Sequence, residues 1–145
     1  MSSPAAVRIA LQRALAAEHA ASYGYGVIGA HLSGRVRTAA VADWVAHQRA
    51  RDQLEQLLTG LGATPVPAAA AYQMPVLVHS SRSARAAAVL LEDGVAAAYL
   101  DLIALSEPAL RRLGAGQLTA SALRAARWRG RTVAFPGSPA GLPGS

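Results

Sequence analysis

Apolar residues recur along this chain at alternating steps of three and four, the spacing that gathers side chains on one face of a helix. In the first such run, Val7, Leu11, Ala14, Ala21, Tyr25, Ile28 and Leu32 share a face, and the line is broken only by Glu18. A later run reads Ala88, Glu92, Val95, Tyr99, Leu102, again with a glutamate as the intruder. In both runs a tyrosine follows the glutamate by seven residues, two turns along the same face. A carboxylate in a core line must be paired, protonated or metal-bound, because an isolated buried charge is very costly. The two matching intruders suggest a duplicated helical hairpin with facing carboxylates.

The runs predict four helices. Helix one spans about residues 5–31, opened by Ser2-Ser-Pro4; helix two about 35–60, stopping at Gly60-Leu-Gly62; helix three runs from a Ser81 or Ser83 cap to about Leu105; helix four covers about 107–129. Gly24, Gly26 and Gly29 weaken helix one by about 1 kcal/mol each relative to alanine, and admit close approach of another helix or subunit. The helix-two line is Ala40, Trp44, His47, Arg51, Leu54, Leu58, Leu61, with Asp43 one turn before His47 and able to orient its ring. Helix four offers two faces. Leu110, Gly114, Leu118, Ser121, Ala125, Trp128 is more apolar than Leu113, Gln117, Ala120, Arg124, Arg127, and is the expected core face.

Residues 62–81, with Pro65, Pro67 and Pro75, carry no helical line; a connection this long is expected to cross from one end of a bundle to the other. Residues 131–145 read as an extended Pro/Gly-rich tail that Phe135 could pin, which leaves 1–130 as one helical domain. Two short-linked hairpins joined by one long crossover between helices two and three make the all-α, ferritin-like form of the four-helix bundle.

Composition narrows the classes. With 52% hydrophobic and 15% charged residues the chain is not a disordered one, and with no cysteine it has neither disulfides nor thiolate metal sites. Alanine dominates, which favours helix throughout. The net charge of +6 comes from fourteen basic residues, all arginine, scattered over every helix. Scattered arginines argue against a nucleic-acid interface, which needs a concentrated basic face. Met-Ser-Ser-Pro lacks a basic segment followed by an apolar core, so no signal peptide is expected. The apolar stretch 86–105 is interrupted by Glu92, Asp93 and Asp101, so no membrane span is expected and the location is read as cytoplasmic.

The segments Glu18-His19…Tyr23-Gly-Tyr-Gly26, His47…Arg51-Asp52 and Leu91-Glu92…Tyr99 together resemble the ferritin-like superfamily, and within it a small, alanine-rich family of unknown function from actinobacteria. The resemblance covers residues 5 to about 129. It implies a di-metal centre built from one glutamate on each of two helices and Glu-x-x-His on each of the other two. Glu18 and Glu92 match the single glutamates, but Arg51 and Leu54 stand where helix two should carry glutamate and histidine. In helix four Arg124 or Ala125, followed by Arg127 or Trp128, stands in the corresponding places.

A guanidinium cannot ligate a metal but pairs with carboxylate through a planar fork. Arg51 is therefore expected to replace the metal as counter-ion to Glu18 and Glu92, in a buried polar cluster with Tyr25, His47, Tyr99 and Arg124. His19, His31 and His79 are expected to be structural or exposed. The expected role is a metal-free ferritin-like module, non-catalytic and without cofactor, acting structurally or through an unidentified protein partner or self-association. Two alternatives stand beside it. One is a metal-dependent oxidase or metal-binding protein using Glu18, His47 and Glu92, with Tyr25 adjacent; the other is a small-ligand or nucleic-acid binder.

Overall fold

The computed structural model describes residues 1–105 and 107–130. Residues 131–145, including Phe135, lie outside the described part. Four α-helices account for most of the described residues, and no strand occurs among them: α1 Pro4–Ala30, α2 Gly34–Gly60, α3 Ser81–Ile103 and α4 Pro108–Trp128.

The helix ends follow local chemistry. Ser3 caps α1, its side chain accepting from the Ala6 amide at 3.1 Å, and Pro4 supplies a first residue with no amide to satisfy. α2 closes on Gly62, whose φ of +70° suits glycine. There the Ala63 amide reaches back to the Leu58 carbonyl and the Gly62 amide to Thr59, so two carbonyls of the last turn find donors. The cap of α3 is Ser80 rather than Ser81 or Ser83. Ser80 accepts from the Ser83 amide while Ser83 Oγ accepts from the Ser80 amide, a reciprocal pair.

α1 packs against α2 and α3, and α3 packs against α4. Side-chain pairs give the directions: His47 and Asp43 of α2 meet Glu18 and Tyr25 of α1, and Glu92 and Tyr99 of α3 meet Tyr25 and Glu18. Both α2 and α3 thus run antiparallel to α1, and parallel to each other. The segment 61–80 between them follows α1. Gln12 bonds Thr64 and Val66, His19 bonds the Val66 carbonyl, and Tyr23 packs on Tyr72 at 5.7 Å.

Every member of the expected α1 and α3 faces is buried, Glu18 and Glu92 included. The α2 face is rotated from the expectation. Asp43 and Ala50 are buried in place of Trp44, which is 37% exposed, and Arg51. The steps through Ala40, Asp43, His47, Ala50, Leu54 and Leu58 begin with three rather than four, which turns the large indole and guanidinium outward. On α4 the apolar face holds: Gly114, Ser121, Ala125 and Trp128 are buried.

The core divides in two. One apolar cluster gathers Leu11, Leu15, Leu54, Leu58, Tyr99 and Leu102; the other gathers Tyr25, Ile28, Ala84, Ala87, Ala88 and Trp128. Between them, at the middle of α1, α2 and α3, lie the buried polar residues Glu18, His47 and Glu92. Close approach of α3 and α4 depends on Gly114, since a Cβ there would lie 3.0 Å from the Tyr99 carbonyl oxygen and 2.9 Å from Leu102 Cβ.

Candidate functional site

The centre is organised by His47, which is fully buried and stacked on the Tyr25 ring at 5.3 Å. Its Nδ1 lies 2.5 Å from Glu18 Oε2 and its Nε2 lies 2.8 Å from Glu92 Oε1. A carboxylate only accepts, so a ring nitrogen facing ionised oxygen must donate. With both nitrogens so placed, the ring is an imidazolium bridging two carboxylates.

The tyrosines complete the arrangement crosswise. Tyr25 of α1 donates to Glu92 of α3 at 2.7 Å, and Tyr99 of α3 donates to Glu18 of α1 at 2.7 Å. Arg124 of α4 adds a third donor to Glu92 Oε1 at 2.9 Å and also bonds Ser121. Glu92 Oε2, in contrast, is buried with no hydrogen-bond partner among the described residues.

A second anion adjoins this group. Asp43 Oδ2 accepts from Trp128 Nε1 at 2.7 Å and from Arg127, and lies 3.4 Å from the Tyr25 hydroxyl. Asp43 therefore does not orient the His47 ring; it joins α2 to α4 through the long side chains of Arg127 and Trp128. Three anions, Glu18, Asp43 and Glu92, face three cations, His47, Arg124 and Arg127, so the centre balances without an added ion.

The protonation states follow from this geometry. Burial pulls the His47 pKa down, but the hydrogen bonds and charges of Glu18 and Glu92 outweigh it and raise it from 6.5 to about 9. Burial pushes the Glu92 carboxyl up, but the His47 bond and charge, with Arg124 and Tyr25, hold it below its ordinary range. Both buried tyrosines are pushed well above the ordinary phenol value, first by burial and then by the carboxylate each one bonds. They stay neutral donors.

Of the seven residues expected in the cluster, the structure brings together Glu18, Tyr25, His47, Glu92, Tyr99 and Arg124. Arg51 is the correction. Its guanidinium pairs with the adjacent Asp52 at 2.8–2.9 Å, at the surface of α2, and takes no part in the centre. The α2 face places Ala50 inward at that level, and the counter-ion role falls to His47. Arg124 and Ala125 are both accommodated: Ala125 packs in the core, while Arg124 reaches in from the flank with its side chain 13% exposed. From the sequence Asp43 is expected only as a partner of His47, and Trp128 only as a core residue. No sequence signal marked the Arg127 contact.

His19 is buried and bonded to the Val66 carbonyl, His31 bonds the Val27 carbonyl at the end of α1, and His79 is exposed in the 61–80 segment.

The donor set does not fit the di-metal centre that the sequence resemblance implies. The ring nitrogens of His47 are both spent on carboxylates, and an imidazolium has no lone pair to give. Arg124 occupies the coordinating oxygen of Glu92, and guanidinium groups stand where two further carboxylates would be needed to neutralise two divalent ions. Among the described residues no three His, Asp or Glu side chains are placed to hold a metal ion.

Among the described residues, four helices around a buried, charge-balanced centre define a helical protein whose interior is held by hydrogen-bonded ions. The chain belongs to the family described as Domain of unknown function (DUF4439), whose profile matches residues 10–140. Among solved structures it is similar to a conserved hypothetical protein, rv2844, from Mycobacterium tuberculosis. The two share 35% identity with a TM-score of 0.85, over 88% of this chain and 98% of that one. No curated protein matches the chain. Among the described residues no helix is long and apolar enough to cross a membrane.

Proposed function

We propose that this protein is a metal-free, degenerate ferritin-like bundle, with 61–80 as its long crossover, that works as a non-catalytic structural or protein-interaction module. The observation that carries the reading is the His47 imidazolium bridging Glu18 and Glu92. In this reading a proton on the ring does what metal ions do in ferritin-like oxidases: it neutralises the facing carboxylates and ties three helices together. Antiparallel α1–α2 and α3–α4 hairpins, with 61–80 following α1, support the ferritin-like topology.

The interaction role is supported by the outer face of the α1–α2 hairpin. Trp44 and Val41, 37% and 47% exposed, flank a groove over Gly26 and Gly29. A Cβ at either glycine would meet nothing within 4 Å among the described residues, so close approach of another surface is open to them.

The test is to load the purified protein with iron or manganese and measure bound metal by elemental analysis, alongside nitrogen NMR of the His47 ring. The expected outcome is no stoichiometric metal, with both ring nitrogens protonated at neutral pH. Two bound ions per chain, with a ring nitrogen coordinated, would overturn it in favour of the metal-dependent alternative.

A further inference from the structure

The arginines are scattered along the sequence, but the helix directions gather them in space. α2 and α3 both run antiparallel to α1, so both begin at the same end of the molecule, where α4 finishes with Arg129 bonded to Asp93 of α3. Arg35 and Arg37 lie in the first turn of α2, Arg82 and Arg85 near the start of α3, and Arg127 and Arg129 at the end of α4. By helix rise, the first four stand within about 6 Å of where their helices begin.

The charge at this end is not balanced from within. Arg127 is spent on Asp43 and Arg129 on Asp93. Among the described residues Arg35, Arg37, Arg82 and Arg85 have no acidic partner, and the sequence of 131–145 holds no acidic residue that could supply one. Elsewhere in the described chain seven arginines are matched in number by six acidic residues, so the net positive charge is concentrated at this one end. Arg35, Arg37 and Arg82 are exposed and Arg85 is half-buried.

Leu77 stands at the same end, three residues before Ser80, the cap of α3. Its neighbours Val76 and Val78 pack on the core cluster of Ile28, Ala84 and Trp128, and the His79 amide bonds Ser83 Oγ. The Leu77 side chain is itself 81% exposed. A single exposed leucine is ordinary on its own. Here it sits beside unpaired guanidinium groups, and the combination selects a partner.

α1 lies between α2 and α3, so the unpaired arginines occupy two corners of the end face rather than one cleft. A small anion or one acidic segment would engage a single corner. An extended surface of many phosphates engages both. Two such surfaces exist, duplex nucleic acid and an anionic bilayer, and Leu77 decides between them. A leucine gains little at a phosphodiester backbone, but is buried by acyl chains lying just beneath a layer of phosphate headgroups.

We propose that this end of the bundle docks peripherally on an anionic phospholipid surface, with Arg35, Arg37, Arg82 and Arg85 on the headgroup phosphates and Leu77 entering the acyl boundary. The contact needs no spanning helix. It goes beyond the metal-free module proposed above and does not depend on the His47 centre.

The experiment is sedimentation of the full chain with vesicles of equal parts phosphatidylcholine and phosphatidylglycerol, compared with vesicles of phosphatidylcholine alone and with a short DNA duplex. Binding to the mixed vesicles is expected to fall steeply with added salt, and binding to phosphatidylcholine alone to be absent. Each arginine near an anionic surface strengthens binding about fivefold, so Arg35→Gln with Arg37→Gln, and separately Arg82→Gln with Arg85→Gln, should each weaken it by about 25-fold. Leu77→Ser should weaken it by about tenfold or more. Arg111→Gln with Arg112→Gln removes two exposed arginines from the start of α4, at the opposite end, and should leave it unchanged. None of these side chains is buried, so circular dichroism should show the same helix content in every variant. Absence of binding to the mixed vesicles, tighter binding of the duplex than of the vesicles, an equal loss in the Arg111 and Arg112 variant, or full binding by Leu77→Ser would each overturn the proposal.

Discussion

Tyr99 of α3 donates to Glu18 of α1 at 2.7 Å, and the same relation holds in reverse between Tyr25 of α1 and Glu92 of α3. Each helix separates its glutamate from its tyrosine by seven residues, about 10.5 Å of helix rise. One antiparallel register therefore satisfies both pairs at once. His47 then closes the remaining gap between the two carboxylates.

Removing His47 leaves two buried carboxylates facing each other. His47→Leu is expected to cost roughly 3–5 kcal/mol, the usual loss when one member of a buried ion pair is deleted. Combining it with Glu18→Gln should recover part of that, giving a coupling energy of about 1–3 kcal/mol in a double-mutant cycle. Urea denaturation of the four proteins measures it, and simple additivity would contradict the bridge.

Stability should fall on the alkaline side. The His47 pKa is higher folded than unfolded, so its contribution is complete below 6.5 and is lost as pH rises through about 9. The loss is on the order of 3 kcal/mol across that interval. Glu92 acts in the opposite sense: its pKa is lowered, so its contribution is present above 4.5 and disappears as pH falls through the lowered value. Urea midpoints measured from acid to alkaline pH should form a plateau with these two flanks, and His47→Gln should flatten the alkaline one.

Arg51 and Arg124 separate cleanly by substitution. Arg51→Leu breaks only a surface pair with Asp52 and should change stability by less than about 1 kcal/mol. Arg124→Leu removes a donor from a buried carboxylate and should cost about 2–3 kcal/mol. Equal effects in thermal melts would mean that the counter-ion roles are misassigned.

The glycines should divide in the same way. Gly114→Ala forces a Cβ against the Tyr99 carbonyl and should destabilise by about 1–3 kcal/mol. Gly26→Ala meets open space in mid-helix and should stabilise the isolated chain by about 0.5–1 kcal/mol. Differential scanning calorimetry of the two variants gives both signs.

Much of this protein is determined by the chain pattern alone. Period and end signals place four helices to within a few residues, and the intruders Glu18 and Glu92 with their tyrosines two turns on mark the α1–α3 seam. Local spacing could do this because both partners of each pair lie on faces that are otherwise apolar, where a carboxylate is conspicuous. Only the tertiary structure decided which cation answers them. On α2 the choice between Asp43 and Trp44, and between Ala50 and Arg51, depends on a rotation of one residue step. A step of three or four is equally helical, and the rotation is set by what the neighbouring helices leave room for. Arg51 and His47 both lie near the expected face; packing turned the long guanidinium outward to Asp52 and left the compact ring between the carboxylates. The contacts of Asp43 with Arg127 and Trp128 span 84 and 85 positions of the chain, and nothing local announces a pair brought together by the return of the last helix.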